Sequence, residues 1–170
     1  MTLTWIPVAD RLDLLADPVA RTVRHLADDV RVAEIDPELS DTVEFCERYG
    51  VPMAESANCV IVAAKRGGVV RHAAVMVLAS MRADVNGVVR RHLDARKVSF
   101  APQPTAVELT GMEYGGITPI GLPDDWPVLV DTAVAAIPNV VIGSGVRRSK
   151  LALPGAALAA LKTAEVLPLA

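Results

Sequence analysis

The stretch "NCVIVAAKRGGVVRHAAVMVL", residues 58 to 78, limits the possible folds of this chain more than any other. Two apolar, β-branched runs, Asn58 to Ala64 and Val69 to Leu78, are separated only by Lys65-Arg66-Gly67-Gly68. A linker that short cannot hold the crossover that parallel strands need. The runs must therefore fold back as an antiparallel hairpin, with glycine supplying the positive φ of a tight turn.

Around the hairpin, helix and strand signals come in mixed order. Asp17-Pro18 predicts a helix start with Asp17 as N-cap, and Val19, Val23 and Leu26 recur at helical spacing. Arg31 to Ile35 reads as a short strand. Asp41 with Glu44 forms a capping box for a helix through Cys46 to Tyr49 that Gly50 and Pro52 stop. Asp84 is placed to cap a helix carrying Val85, Val88, Val89 and Leu93, and a strand follows at Lys97 to Ala101. Thr105 and Glu108 predict a second capping box, for a helix ending at Gly111. Strands at Val128 to Asp131, Asn139 to Gly143 and Lys150 to Leu153 precede a helix opening at Pro154. Hairpins in mixed order mean an α+β domain with a largely antiparallel sheet, not a doubly wound nucleotide-binding fold.

At 170 residues the chain is one domain's worth. Its apolar runs are strand-length, far below a membrane span, and no signal peptide opens it. Two cysteines, Cys46 and Cys59, are too few for a disulfide framework and imply reduced thiols in a cytoplasmic protein. The 17 basic and 20 acidic residues give a net charge of -3, which does not announce a basic face. A nucleic acid partner would then be held weakly and locally.

The residues argue against several chemistries. His25, His72, His92, Cys46 and Cys59 show no metal-ligand spacing, and no cofactor motif is present. Gly143-Ser144-Gly145 is not a nucleophile elbow. "GGITPIG" is followed by "LPDDWP", which cannot open a phosphate-binding helix. What remains is an arrangement. "GMEYGGITPIGLP", residues 111 to 123, carries four glycines and two prolines, so it is either a complicated turn or a wall for a ligand. This loop, the strand end at Asp131 and Gly143-Ser144-Gly145 would converge on one rim of the sheet if their strands are neighbours. Backbone N–H groups there could orient a carbonyl or an oxyanion in a small acyl pocket.

The succession "NCVIVAAKRGG", "RADVNGVVRRHLDARKVSFA", "VELTGMEYGGITPIGLP", "PVLVDT" and "VVIGSGVRRSKLAL" resembles the YbaK family, free-standing relatives of the editing domain of bacterial prolyl-tRNA synthetases. The likeness runs over roughly residues 36 to 162, leaving 1 to 35 as an N-terminal extension or a variant first helix and strand before an editing domain at 36 to 170. It implies a mixed, mostly antiparallel, barrel-like sheet flanked by helices, and hydrolysis of the ester in mischarged aminoacyl-tRNA without a cofactor. Carried over, Gly115, Gly116, Ile117, Thr118 and Pro119 would wall the aminoacyl pocket, so that a bulkier residue at Gly116 blocks the ligand and spares the fold. Asp131, Gly143, Ser144 and Gly145 would join them. Arg147, Arg148 and Lys150 are the candidates for tRNA phosphates. The implied partner is the tRNA acceptor end, with an aminoacyl-tRNA synthetase as a further one, and neither DNA nor membrane. Where many members carry a lysine at the start of the hairpin, this chain has Asn58, the candidate catalytic position. The alternative is a non-catalytic module that binds an aminoacyl or adenosine ligand or a synthetase.

Overall fold

The computed structural model describes residues 2–26 and 29–170. The hairpin is its centre: β3 (Ala57–Arg66) pairs with β4 (Val69–Leu78) over ten residue pairs, from Ala57↔Leu78 to Arg66↔Val69. Gly67 (φ 58) and Gly68 (φ 79) make the two-residue turn, where a positive φ at both positions suits the strands' twist and strains most other residues. β5 (Lys97–Phe100) adds antiparallel to β3, β6 (Val128–Asp131) parallel to β4, and β9 (Ala164–Leu167) parallel to β6. All four residues of β6 are buried, because it lies inside the sheet: Val128 and Val130 face one core and Leu129 the other.

A second sheet has the order β1 (Ile6–Pro7), β2 (Arg31–Glu34), β8 (Ser149–Leu153), β7 (Val140–Gly143), all antiparallel. The two sheets meet at a parallel bridge between Ser56 and Val141. The main core, with Leu14, Val19, Val32, Ile61, Met76, Ile120, Ile142 and Leu151, fills the space between them. The expected mixed, mostly antiparallel α+β domain is present. Its barrel-like sheet is realised as two open sheets of four and five strands.

Helices cover the rest: α1 (Asp17–Val23), α2 (Thr42–Tyr49), α3 (Arg90–His92) after a π-helical turn at Val85–Val89, α4 (Gln103–Thr110), α5 (Thr132–Ala135) and α6 (Gly155–Ala159). None of the described helices is long and apolar enough to cross a membrane. Asp84 caps the turn at 85, accepting from the amides of Gly87 and Val88. The other expected caps differ. Ala16, not Asp17, precedes α1, and α4 starts at Gln103-Pro104, so Thr105 already lies inside it. Asp41 does precede α2, yet its carboxylate turns away from the helix amides toward Arg147.

Candidate functional site

Strand β5 pairs with β3 from Lys65 to Val62, a last bond runs from the Ala101 amide to the Ile61 carbonyl, and the chains then part. The β3 edge beyond that point borders a cavity of about 470 Å³, which is why the five consecutive residues Ala57 to Ile61 all line it. Ser40, Asp41 and Thr42 close the cavity from the start of α2, Phe100, Ala101, Gln103 and Ala106 from β5 and α4, and Tyr114, Gly115 and Ile117 from the glycine-rich loop. Ile142, Gly143 and Lys150 complete it from the second sheet. The site therefore sits where the two sheets part.

Lys150 is its charged centre. The side chain is buried at 7% exposure, its Nζ donating to the Ser40 carbonyl at 2.8 Å and lying 5.2 Å from the centre of the Phe45 ring. Burial, against the opposing pull of Cys46 and Asp41 and with a smaller contribution from Arg147, brings its ammonium down to about 8. Expected among the surface phosphate contacts, Lys150 instead faces the cavity. Ser40 carries the network onward, its hydroxyl donating to the Gly115 carbonyl at 3.0 Å. Asn58 is in the wall, and its Oδ1 accepts from Thr42 Oγ1 at 2.7 Å, which leaves the amide N–H₂ as a donor. Cys59 also borders the cavity, but burial pushes its thiol up to about 12, so it holds its proton and is a poor nucleophile.

Of the expected loop residues, Gly115 and Ile117 line the cavity, whereas Gly116, Thr118 and Pro119 stand behind them. A Cβ on Gly116 would lie 2.8 Å from the Val146 backbone, and one on Gly143 would lie 2.5 Å from the Gly116 carbonyl oxygen. The space beside Gly116 thus belongs to a neighbouring chain segment rather than to a ligand. Gly145 (φ 90) donates its amide to the Gly116 carbonyl at 2.7 Å and leaves no room for a side chain, since a Cβ there would collide with the Ala16 side chain. Ser144 is fully buried, its hydroxyl within 3.0–3.1 Å of the carbonyls of Ser149 and Val146, and does not line the cavity. Asp131 is also outside the cavity. Its buried carboxylate accepts from the amides of Ala133, Leu169 and Ala170 and pins the end of the chain.

Arg147 and Arg148 face outward but are already engaged. Arg147 donates to the Tyr114 carbonyl at 3.1 Å and pairs with Asp41 at 3.4 Å, while Arg148 reaches the Asp13 carbonyl. Among the described residues no three His, Cys, Asp or Glu side chains group as metal ligands, and His72 stacks on Trp126 with ring centres 5.3 Å apart. Sequence reasoning missed Ser40, Thr42, Phe100 and Tyr114. Ser40 and Thr42 only flank the Asp41 capping signal, and an exposed aromatic has no pattern in a single sequence.

Two open sheets around a cavity walled by a glycine-rich loop, a strand edge and a buried lysine define a small α+β domain with a candidate ligand site where the sheets part. The aminoacyl-tRNA editing domain model matches residues 36–161, so this chain belongs to that family. It is 32% identical over 107 residues to a proline–tRNA ligase of Listeria monocytogenes, a match spanning 62% of this chain and 17% of the ligase. Against a proline–tRNA ligase of Lactobacillus gasseri it is 40% identical over 73 residues, 41% of this chain and 13% of that one. The fold is shared with a crystal structure of a protein proposed to be a trans-editing enzyme for prolyl tRNA synthetase. That match has a TM-score of 0.77 at 21% identity and covers 91% of this chain and 95% of the other.

Proposed function

We propose that this chain hydrolyses the ester of a mischarged aminoacyl-tRNA, taking the aminoacyl group and terminal adenosine into the cavity between the sheets. The observation that carries this reading is the pairing of two donors, the Lys150 ammonium and the Asn58 amide, in the wall of one cavity large enough for an aminoacyl ester. They are suited to the carbonyl oxygen as it becomes an oxyanion. A water oxygen adds to the acyl carbon, the ester C–O bond breaks, and the water's proton ends on the departing ribose oxygen. Orientation and charge stabilisation supply the rate, without a side-chain nucleophile. Asp41 is the one carboxylate among the described lining residues and suits the substrate's α-ammonium.

The test is deacylation across a panel of mischarged tRNAs. At least one should be hydrolysed, with Lys150→Met slowing turnover by about 10²–10³ and Asn58→Ala by about 2–30-fold. Hydrolysis of none overturns the reading. A non-catalytic module draws support from Asn58, whose carboxamide oxygen is already held by Thr42 at the position where many members of the family resembled carry a lysine. Saturable binding of an aminoacyl-adenosine with no turnover would decide for that alternative.

A further inference from the structure

The net charge of -3 conceals a segregation. Eight of the 17 Lys and Arg residues lie between positions 65 and 97, with only two of the 20 Asp and Glu residues. The fold gathers most of these cations at one end of the five-stranded sheet. Lys65 is the cross-strand partner of Lys97, and Arg96 donates its amide to the Lys65 carbonyl. Arg66 reaches Asp94, and Arg71 donates to the Leu93 carbonyl, drawing the hairpin tip onto the turn after α3. The two acids of the segment are occupied, Asp94 by Arg66 and Asp84 by the amides it caps, and Glu165 of β9 pairs with His92. Lys65, Arg91, Arg96 and Lys97 are exposed and form no ion pair with any described residue.

This basic end and the cavity lie on the same two strands, β3 and β5. Asn58, Val60 and Phe100 border both the cavity and a second groove that runs past Val98 of β5 to Arg82 in the segment after β4. From Val60 along β3 to Lys65 is about 17 Å, and from Phe100 along β5 to Lys97 about 10 Å. Phe100 (65% exposed) and Tyr114 (53%) are the two aromatics among the exposed large apolar residues described, and both stand in the cavity wall. An exposed aromatic ring is a stacking platform for an unpaired base, and a cluster of cations one short single strand away is a seat for duplex phosphates.

We propose that Lys65, Arg91, Arg96 and Lys97, the exposed cations without an ion pair to a described residue, form the surface that receives the phosphate backbone of a structured RNA, with Arg66 and Arg71 beside them as secondary contacts. Its unpaired end passes Phe100 and Tyr114 into the cavity. That the RNA is the acceptor stem of a mischarged tRNA rests on the deacylase reading; the basic RNA surface does not. Arg147 and Arg148, held by neighbouring carbonyls, are then secondary contacts.

The test is the triple variant Lys65→Glu/Arg96→Glu/Lys97→Glu, with the triple Gln form beside it in case the charge reversal disturbs folding. Two readouts are taken: binding of uncharged tRNA against salt, and hydrolysis of aminoacyl-tRNA against aminoacyl-adenosine. Wild type should bind tRNA with a steep salt dependence. The Glu variant should lose at least about 30-fold in affinity near 50 mM salt, and the slope of log K against log salt should flatten by about 2–3. KM for aminoacyl-tRNA should rise while hydrolysis of aminoacyl-adenosine stays unchanged. Wild-type affinity and slope in both variants overturn the surface even if the enzyme deacylates. Patch-dependent tRNA binding without hydrolysis of any ester overturns the deacylase reading and leaves the surface standing.

Discussion

Lys150 has the largest local electrostatic cost in the site, and that cost has a sign that can be measured. Its folded pKa of about 8 lies below the 10.5 of a free lysine, so the unfolded chain holds the proton more tightly. Below pH 8 both states are protonated and the full penalty, about 3 kcal/mol, opposes folding. Between pH 8 and 10.5 the unfolded state carries more protons than the folded one, so this residue makes stability rise with pH. The thiols of Cys46 and Cys59 act the other way in the alkaline range, because burial raises both. The informative quantity is therefore the difference between wild type and Lys150→Met in denaturant titrations. Wild-type stability relative to the variant should rise by about 2–3 kcal/mol from about pH 7 to about pH 10.5. A flat difference would mean that the ammonium is solvated and the cavity wetter than its 7% exposure implies.

At the scale of elements, the glycine-rich loop is a wall with two sides. Gly115 and Ile117 face the cavity, while Gly116 lies against the Val146 backbone, with its carbonyl accepting from Gly145. A methyl at 116 has only backbone to displace, so Gly116→Ala should destabilise by at least about 1–3 kcal/mol, seen as a melting temperature lower by about 2–10 °C. Unchanged melting with lost ligand binding would give that space back to the ligand. This junction shows what a single sequence can convey. The ten-pair hairpin, the helix stop at Gly50 and the strand at Val128 to Asp131 were legible, since each depends on local turn chemistry or an apolar run. Which glycine faced the cavity was not, because Gly116 and Gly143 approach each other across 27 positions of chain. The buried state of Lys150 was equally hidden: nothing in "RRSKLAL" tells a core lysine from a surface one. Asp131 ended a strand as expected, yet its carboxylate serves the amides of Leu169 and Ala170. The two-residue β1 and four-residue β9 are too short to carry a period.

Across the whole molecule, the family match begins at residue 36, but the fold does not divide there. Strand β2 supplies the partner for β8 from Arg31↔Ala152 to Glu34↔Ser149, and without it β8 would be left as a bare edge beside the cavity. The same N-terminal segment buttresses the loops behind the site. Ala16 donates its amide to the Ser144 carbonyl, Ser149 Oγ lies 2.6 Å from the Leu14 carbonyl, and Gly121 packs against the Pro18 backbone. Val8, Leu14, Leu15, Val19, Val23, Val30 and Val32 are all buried. At about 1.5–3 kcal/mol each, these seven side chains contribute on the order of 10–20 kcal/mol of burial, as much as the usual net stability of a domain. A fragment of residues 36–170 should therefore show no cooperative unfolding transition by circular dichroism and no saturable binding of an aminoacyl-adenosine. If that fragment instead melts cooperatively and binds as the full chain does, the N-terminal segment is a dispensable extension. The glycine-rich loop and the Gly143–Gly145 turn would then have to hold each other in place without α1 behind them.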